Sequence, residues 1–393
     1  MIILVNILIQ YNKHFSLIDA KLIIIQIVLE GNSMIKFDNK MTTVAFIKEM
    51  TAKRQPDFNN FLKVLNKQKP ERPTLFEFFL NDEINQELTG FSYPPLNNDN
   101  YIHEQLRWNM ISYRNAGYDY FMVSIPPNIS FTTKEHHKKS SLSMNELVMI
   151  QDQESFDAYP WPDPEEIEVE KYETFSKEVI PGMKGILYSP SGVLENSTSL
   201  LGYDNLCYLL ADDPDFVKKV FDKVGSILFR YYERMIELDY VGAILVNDDW
   251  GFFSQTMLKT EDMRKLVIPW HKKYVELAHR HGKPAMMHSC GQLQEVMDDI
   301  IDEIKFDGKH SYEDKIIPVE EAYEKWGKRI AIIGGIDVHF LCTSTPEEIF
   351  NRAIALLEMT KERGGYALGS GNSIPNFVPK QSYYAMIVAA LIE

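Results

Sequence analysis

A chain of 393 residues, of which 45% are hydrophobic and 25% charged, has the composition of an ordinary globular protein with enough apolar side chains for a large core. The formal net charge of −15 argues against nucleic acid and anionic membrane surfaces as partners. Cys207, Cys290 and Cys342 are widely spaced and odd in number, which excludes a disulfide framework and favours a cytoplasmic location.

The first 33 residues differ in composition from the rest of the chain. They are rich in isoleucine and leucine, but polar residues interrupt the apolar runs before they reach the about 20 residues that a membrane span needs. We therefore expect residues 1–33 to be an over-extended gene model or a disordered extension, with the natural start at Met34 or Met41. Residues 34–71 are predicted to form a helical segment, and residues 72–393 the main domain.

The main domain is predicted to be a (β/α)8 TIM barrel. Short apolar runs separated by helical patterns are typical of parallel strands joined by helices, and eight runs match the number in this barrel. The predicted strands are residues 74–79, 118–125, 185–189, 242–249, 284–290, 307–310, 330–337 and 365–372. A doubly wound open sheet is the alternative, but its glycine-rich first turn is missing. The longest insertion, residues 126–181, is expected to lie over the strand C-termini as a partial lid.

The fifth predicted strand ends in a histidine and a cysteine, His288 and Cys290. Because side chains alternate along a strand, residues two positions apart point to the same face. An imidazole and a thiol on one face can bind a borderline metal, above all zinc. The alternative is a strand end with a buried cysteine and a hydrogen-bonded histidine, since two ligands do not complete a zinc site.

Polar residues also end the other predicted strands. The active site of a barrel lies at the C-terminal ends of its strands, so these residues are expected to share one mouth with His288 and Cys290. They are Glu77, Ser189, Asp248, Asp249, His310, Asp337, Ser370 and Asn372. Because Asp248 and Asp249 are adjacent, only one of them can face the mouth. We assign Asp248 to the mouth and Asp249 to a cap or a helix contact.

The predicted site thus has a reactive set and a substrate-binding set. The catalytic residues are predicted to be Glu77, Asp248, His288 and Cys290, of which His288 and Cys290 are also metal ligands. The substrate-binding residues are predicted to be Ser189, Trp250, Phe252, His310 and Asn372. For the aromatic members, packing in the core is the alternative interpretation.

Several short motifs, in this order, resemble the uroporphyrinogen decarboxylase superfamily. They are NDDWGF at 247–252 with Pro269 in the next helix, HSCG at 288–291, GGID at 334–337 with TPEE at 345–348, and GSGNSIP at 369–375. The resemblance extends from about Phe58 to the C-terminus. It implies either a decarboxylase of uroporphyrinogen or a cobalamin-dependent methyltransferase that acts on coenzyme M or a similar thiol.

The residues favour the methyltransferase branch of this superfamily. The decarboxylase holds an octa-acidic tetrapyrrole with an arginine-rich segment after its first strand, whereas here no arginine lies between Glu77 and Arg107. A buried polyanion without cationic partners carries a severe desolvation penalty. The methyltransferases bind zinc through a His-x-Cys pair and a second cysteine near the last strand. This chain keeps the pair but has Asn372 at the second position.

Either an oxygen ligand therefore completes a zinc site, or the site holds no zinc. Glu77, Asp248 and Asn372 are the alternatives, and Cys342 is not expected to substitute because it lies beyond the seventh strand. The resemblance then implies methyl transfer between a methyl-corrinoid on a separate carrier protein and a small thiol, with Asp248 binding the substrate or acting as a base. The alternatives are uroporphyrinogen decarboxylase-type decarboxylation and a barrel that only binds a corrinoid or a metabolite.

Overall fold

Seven parallel strands form one curled sheet in the computed structural model, which describes residues 37–95, 100–123, 129–131, 148–189 and 191–392. The strands are β1 (Tyr120–Val123), β2 (Lys184–Tyr188), β3 (Val241–Asn247), β4 (Ala285–His288), β5 (Gly308–His310), β6 (Ala331–Ile333) and β7 (Tyr366–Ala367). Each strand pairs with the next one along the chain. This order is typical of a repeated strand–helix unit, so the predicted α/β class is confirmed, and the sheet is compatible with a TIM-like barrel.

Helices separate most of the strands and cover the sheet. The α-helices are Val44–Ala52, Phe58–Leu65, Asp82–Thr89, Tyr101–Ala116, Gln153–Ala158, Val169–Thr174, Val193–Leu201, Tyr203–Asp212, Pro214–Met235, Thr260–Asp262, Ile268–Arg280, Val319–Trp326, Val338–Thr343, Pro346–Thr360 and Lys380–Leu391. Thr345 begins the helix Pro346–Thr360 with a capping box to Glu348, as its sequence predicts. Within the described ranges, no helix is both long and apolar enough to cross a membrane.

The segment predicted as the first strand, residues 74–79, is not a regular strand. It lies beside β7, where Leu75 forms an isolated parallel bridge with Leu368. On its other side, the backbone N–H and carbonyl of Glu77 bond to the hydroxyl of Tyr120, at 2.6 and 2.8 Å. Because a tyrosine hydroxyl takes the hydrogen bonds that a neighbouring strand would make, no ladder forms between this segment and β1. The prediction of eight strands is therefore not confirmed.

The strands β3, β4 and β5 are aligned so that their last residues form a row. In this register, Asn247 lies beside His288, and His288 lies beside His310. Paired residues of neighbouring parallel strands point to the same face of the sheet. The three side chains are buried, because both faces of a parallel sheet are covered. The register thus brings polar groups from three strands together at the C-terminal edge.

The predicted lid falls only partly within the described residues. Residues 148–181 contact the helices Val193–Leu201 and Pro214–Met235. Ile150 donates a backbone hydrogen bond to Leu200, and Arg234 forms an ion pair with Glu165. Residues 126–128 and 132–147 of the insertion lie outside the described residues, so the lid remains a prediction. The same holds for the expectation about residues 1–33.

Candidate functional site

The two histidines of the polar row, His288 and His310, are in hydrogen-bond contact. Their Nδ1 atoms are 2.7 Å apart, and Nε2 of His310 is 3.1 Å from the carbonyl oxygen of Ser370. Burial lowers the pKa of His310 to about 3. Burial, and then the electrostatic effect of the neighbouring His310 and Lys309, hold the pKa of His288 well below its usual value. Both imidazoles are therefore neutral near neutral pH.

Cys290 lies next to the other ring nitrogen of His288. Its Sγ is 3.8 Å from His288 Nε2 and accepts a hydrogen bond of 2.9 Å from the side-chain amide of Asn372. Ser311 Oγ is 3.7 Å from the same sulfur. Burial, and then the negative charge of Asp249, raise the pKa of the Cys290 thiol. The thiol is thus protonated unless a cation binds beside it.

Asp249 supplies a third potential ligand atom. Its Oδ1 is 4.0 Å from His288 Nε2 and accepts a hydrogen bond of 2.8 Å from the backbone N–H of Cys290. The ligand atoms of Asp249, His288 and Cys290 all lie within 4.8 Å of one another. Ligand atoms around a tetrahedral zinc ion are roughly 3.3–3.6 Å apart. Small side-chain adjustments would close the cluster around zinc, and its N, S and O donors fit that metal.

Asp248, which the sequence analysis assigned to the mouth, lies outside this cluster. Its carboxylate is fully buried and accepts hydrogen bonds from the backbone N–H groups of Leu194, at 3.0 Å, and Glu195, at 2.9 Å. These groups belong to the first turn of the helix Val193–Leu201. Burial raises the pKa of Asp248 to about 7. The assignment of the two aspartates is therefore reversed, because Asp248 caps a helix and Asp249 joins the cluster.

Two predicted substrate-binding residues, Trp250 and Ser189, also face the surrounding helices, contrary to prediction. Trp250 is fully buried and packs edge-on against His271, with ring centroids 4.8 Å apart. Ser189 Oγ is 3.0 Å from the hydroxyl of Tyr232. Strand alternation explains both positions, because Trp250 is two residues beyond the outward-facing Asp248 and Ser189 follows an inward-facing tyrosine.

Phe252, the other aromatic residue predicted to bind substrate, lies in the loop after β3. It is partly buried and packs edge-on against Tyr203, with ring centroids 5.5 Å apart. Tyr203 begins the helix that follows Val193–Leu201. The contact of Phe252 with substrate remains a prediction.

Glu77 is fully buried and holds the segment after β7. Ser370 donates hydrogen bonds to its carboxylate from Oγ, at 2.7 Å, and from the backbone N–H, at 3.2 Å. Burial raises the pKa of Glu77 to about 8, although the hydrogen bonds from Ser370 and Phe78 act in the opposite direction. Since Ser370 also contacts His310, Glu77 is connected to the cluster through Ser370 rather than as a ligand.

A family model described as uroporphyrinogen decarboxylase (URO-D) matches residues 182–391, which is more than half of the chain. The chain belongs to the URO-D family. A methyltransferase from Methanosarcina mazei of known structure is similar in fold, with a TM-score of 0.61 and 15% identical residues. The alignment covers 84% of this chain and 97% of that one. A comparison with curated proteins found no match to the chain.

The URO-D match contains most of the candidate site. It includes β2 to β7 and therefore Asp249, His288, Cys290, His310 and Asn372. Glu77 lies before the matched residues but is joined to them by its hydrogen bonds to Ser370.

Sequence reasoning missed two aromatic residues in this URO-D site. The ring of Phe78 is 4.8 Å from that of His288, and Tyr188 packs edge-on against Phe78 at 5.3 Å. Both lie beside a polar residue that the sequence analysis chose for its chemistry, namely Glu77 and Ser189. Alternation along the strand carried the signal for Tyr188, because adjacent residues cannot share a face.

A buried lysine was also missed. Lys309 is the buried central residue of β5, and its Nζ donates hydrogen bonds to the carbonyl oxygens of Ser289, at 3.3 Å, and Ser311, at 2.6 Å. Burial lowers its pKa to about 8. A lysine between two buried strand residues is visible in the sequence as an anomaly. Its hydrogen bonds connect Ser289, which follows β4 and precedes Cys290, with Ser311, which follows β5.

Proposed function

We propose that this chain is a zinc-assisted methyltransferase that transfers a methyl group from a methyl-corrinoid to a small thiol. The observation that supports the proposal is the cluster of Asp249, His288 and Cys290, whose ligand atoms lie within 4.8 Å of one another. The cluster combines imidazole, thiol and carboxylate donors, which is a set that zinc accepts. Three protein ligands leave a fourth tetrahedral position for a substrate atom.

Three side chains of the cluster would coordinate the metal. His288, Cys290 and Asp249 would be the ligands, and Asp249 would take the place that the sequence analysis gave to Glu77, Asp248 or Asn372. When bound, zinc supplies a Lewis acid that keeps a thiol deprotonated near neutral pH. Asn372 donates an N–H to the Cys290 sulfur at 2.9 Å, which stabilises negative charge on that sulfur.

The chemistry of the proposed reaction is a displacement at a methyl carbon. The substrate thiol would release its proton to solvent on binding the metal, and its sulfur would then form a bond to the methyl carbon. The cobalt–carbon bond breaks, and its electron pair stays on cobalt. The rings of Phe78 and Tyr188 lie beside His288 and would exclude water from the reacting sulfur. The corrinoid would be presented by a carrier protein, as the sequence analysis expects.

Decarboxylation of a porphyrinogen remains the alternative that the family's description suggests. A substrate with many carboxylates needs cationic partners in the site. Lys309 is a buried cation that interacts electrostatically with Cys290 and Asp249, and its Nζ donates to two backbone carbonyls. This arrangement favours a thiol over a polyanion. A barrel that only binds a corrinoid would show metal or corrinoid binding without turnover.

Metal analysis and turnover of matched cysteine variants test the proposal. Cys290→Ala should lose zinc and the methylation of thiols by methylcobalamin. Cys342→Ala should keep both, because Cys342 is partly exposed and its weak contact is to the carbonyl of Phe377, at 3.9 Å. Stoichiometric zinc in Cys290→Ala would contradict the zinc site. Consumption of uroporphyrinogen by a protein that does not methylate thiols would favour the decarboxylase instead.

A further inference from the structure

The protons of the His288–His310 pair can be assigned from the groups around them. His310 Nε2 lies 3.1 Å from the carbonyl oxygen of Ser370. A carbonyl oxygen only accepts hydrogen bonds, so Nε2 of His310 must carry the proton of this contact. The opposite assignment would place a nitrogen lone pair against the oxygen lone pairs in a buried site, which is unfavourable.

The second contact then has one possible direction. A neutral imidazole carries one proton, so His310 has a lone pair on Nδ1. Nδ1 of His288 is 2.7 Å away and must donate to it. A doubly protonated His310 would reverse this direction. Burial opposes a positive charge on His310, and the positive charge of the adjacent buried residue, Lys309, opposes it further. His288 is left with a lone pair on Nε2, the atom that faces Cys290 and Asp249.

We infer that His310 is a positioning residue that fixes His288 as the Nδ1–H tautomer, with the Nε2 lone pair directed at Cys290 and Asp249. Metal ligands of this type are oriented by a hydrogen bond at the other ring nitrogen, usually to a carboxylate or a carbonyl. Here a second histidine stands in that position, and the carbonyl of Ser370 sets its direction. The effect on zinc affinity rests on the proposed function, whereas the tautomer does not.

The surrounding chain holds the Ser370 carbonyl in place. Glu77 accepts two hydrogen bonds from Ser370, and Phe76 packs edge-on against His310 with ring centroids 4.9 Å apart. Gly334 has a φ of +70°, and a Cβ there would lie 2.3 Å from the Ser370 carbonyl oxygen and 2.8 Å from His310 Nε2. A glycine is therefore required for the close approach of these groups.

Nitrogen NMR of the metal-free protein tests the tautomer directly, because the two nitrogens of a neutral imidazole have different shifts. We expect His288 to be protonated at Nδ1 and His310 at Nε2 in the wild type. His310→Leu removes the acceptor and should release His288 into a mixture of tautomers. His310→Gln is the matched control, because its amide can accept from His288 and donate to Ser370. It should retain Nδ1–H on His288.

Zinc affinity, measured by competition with a chelator, provides the second readout. His310→Leu should weaken zinc binding by about 10- to 100-fold, and His310→Gln by no more than a few-fold. Circular dichroism would identify a variant that fails to fold. If His310→Leu does not fold, the NMR spectra of the wild type and of His310→Gln decide which nitrogen of His288 carries the proton. Protonation of wild-type His288 at Nε2 would overturn the inference. Equal zinc affinity of the Leu and Gln variants would refute the effect of the tautomer on zinc binding, which rests on the proposed function. A wild type with the expected tautomer but no thiol methylation would refute only the proposed function.

Discussion

The side-chain amide of Asn372 donates a hydrogen bond of 2.9 Å to the sulfur of Cys290, 82 positions earlier in the chain. The amide therefore lies close enough to the cluster for a different side chain at this position to reach a bound metal. Its contact is made possible by the segment after β7, which Glu77 holds through Ser370. The first prediction uses this proximity.

Asn372→Cys should strengthen zinc binding at least about tenfold, because a second thiolate would join the ligand set and soft thiolates bind zinc well. The affinity would be measured by chelator competition under reducing conditions, which prevent a disulfide with Cys290. Ser373→Cys places a thiol on the adjacent residue and should leave the affinity near that of the wild type. An unchanged affinity in Asn372→Cys would mean that this side chain does not reach the metal.

Asp249→Asn should mainly lower zinc affinity, whereas Asp248→Asn should mainly lower the stability of the fold. Asp249→Asn should lower zinc affinity at least about tenfold and change the free energy of unfolding by less than about 0.5 kcal/mol, because it alters a ligand near the surface. Asp248→Asn should destabilise the fold by about 1–3 kcal/mol, because a buried capping carboxylate is lost. Its zinc affinity should stay within a few-fold of the wild type. Chelator competition and urea denaturation measure the two quantities, and exchanged phenotypes would restore the assignment made from the sequence.

Glu77→Gln should change how stability depends on pH. The folded-state pKa of Glu77 is about 8, above its ordinary value of 4.5. Protonated Glu77 therefore contributes stability that is fully present below about pH 4.5 and is lost as the pH rises through 8. Wild-type protein should lose more stability between pH 5 and 8.5 than Glu77→Gln, as measured by urea denaturation at several pH values. Parallel curves for the two proteins would show that Glu77 does not titrate in this range.

Gly334→Ala should destabilise the protein by about 1–3 kcal/mol and also weaken zinc binding, because the new Cβ would displace Ser370 and His310. Gly282→Ala is a matched control. Gly282 has a similar φ of +66°, but a Cβ there meets no atom within 4 Å. It should cost only the conformational strain, about 1 kcal/mol, and leave zinc binding unchanged. Equal zinc affinities in the two variants would mean that the space beside Ser370 is not needed.

The sequence predicted the strands from β1 to β7 because most of them lie in short apolar runs separated by helical patterns. The segment at 74–79 has the same apolar character, but Tyr120 competes for its backbone groups. That competition depends on a residue more than 40 positions away and leaves no local signal. Patterns within one segment therefore cannot reveal it.

The residue types of the candidate site were predictable from the sequence, but the side chains that face the cluster were only partly predictable. His288 and Cys290 share a face by strand alternation, and the same rule applied from Asn247 would have selected Asp249 over Asp248. The register that places Asn247 beside His288 is not visible in the sequence. Strand alternation therefore could not show which of the two aspartates shares a face with His288. The proton assignment of His288 needed the carbonyl of Ser370, a backbone atom whose position no side-chain pattern encodes.

Residues 74–80 meet β1 and the helix Tyr101–Ala116 through two tyrosine hydroxyls in place of a strand ladder. Tyr120 bonds to the backbone of Glu77, and Tyr113 donates to the carbonyl of Phe78 at 2.8 Å. These hydrogen bonds join the segments at single points, whereas a strand ladder would pair consecutive backbone groups. The backbone hydrogen bonds of residues 74–80 to a neighbouring segment run to the residues that follow β7. On the other side, the position of Phe78 beside His288 therefore depends on the buried phenol hydroxyls of Tyr113 and Tyr120.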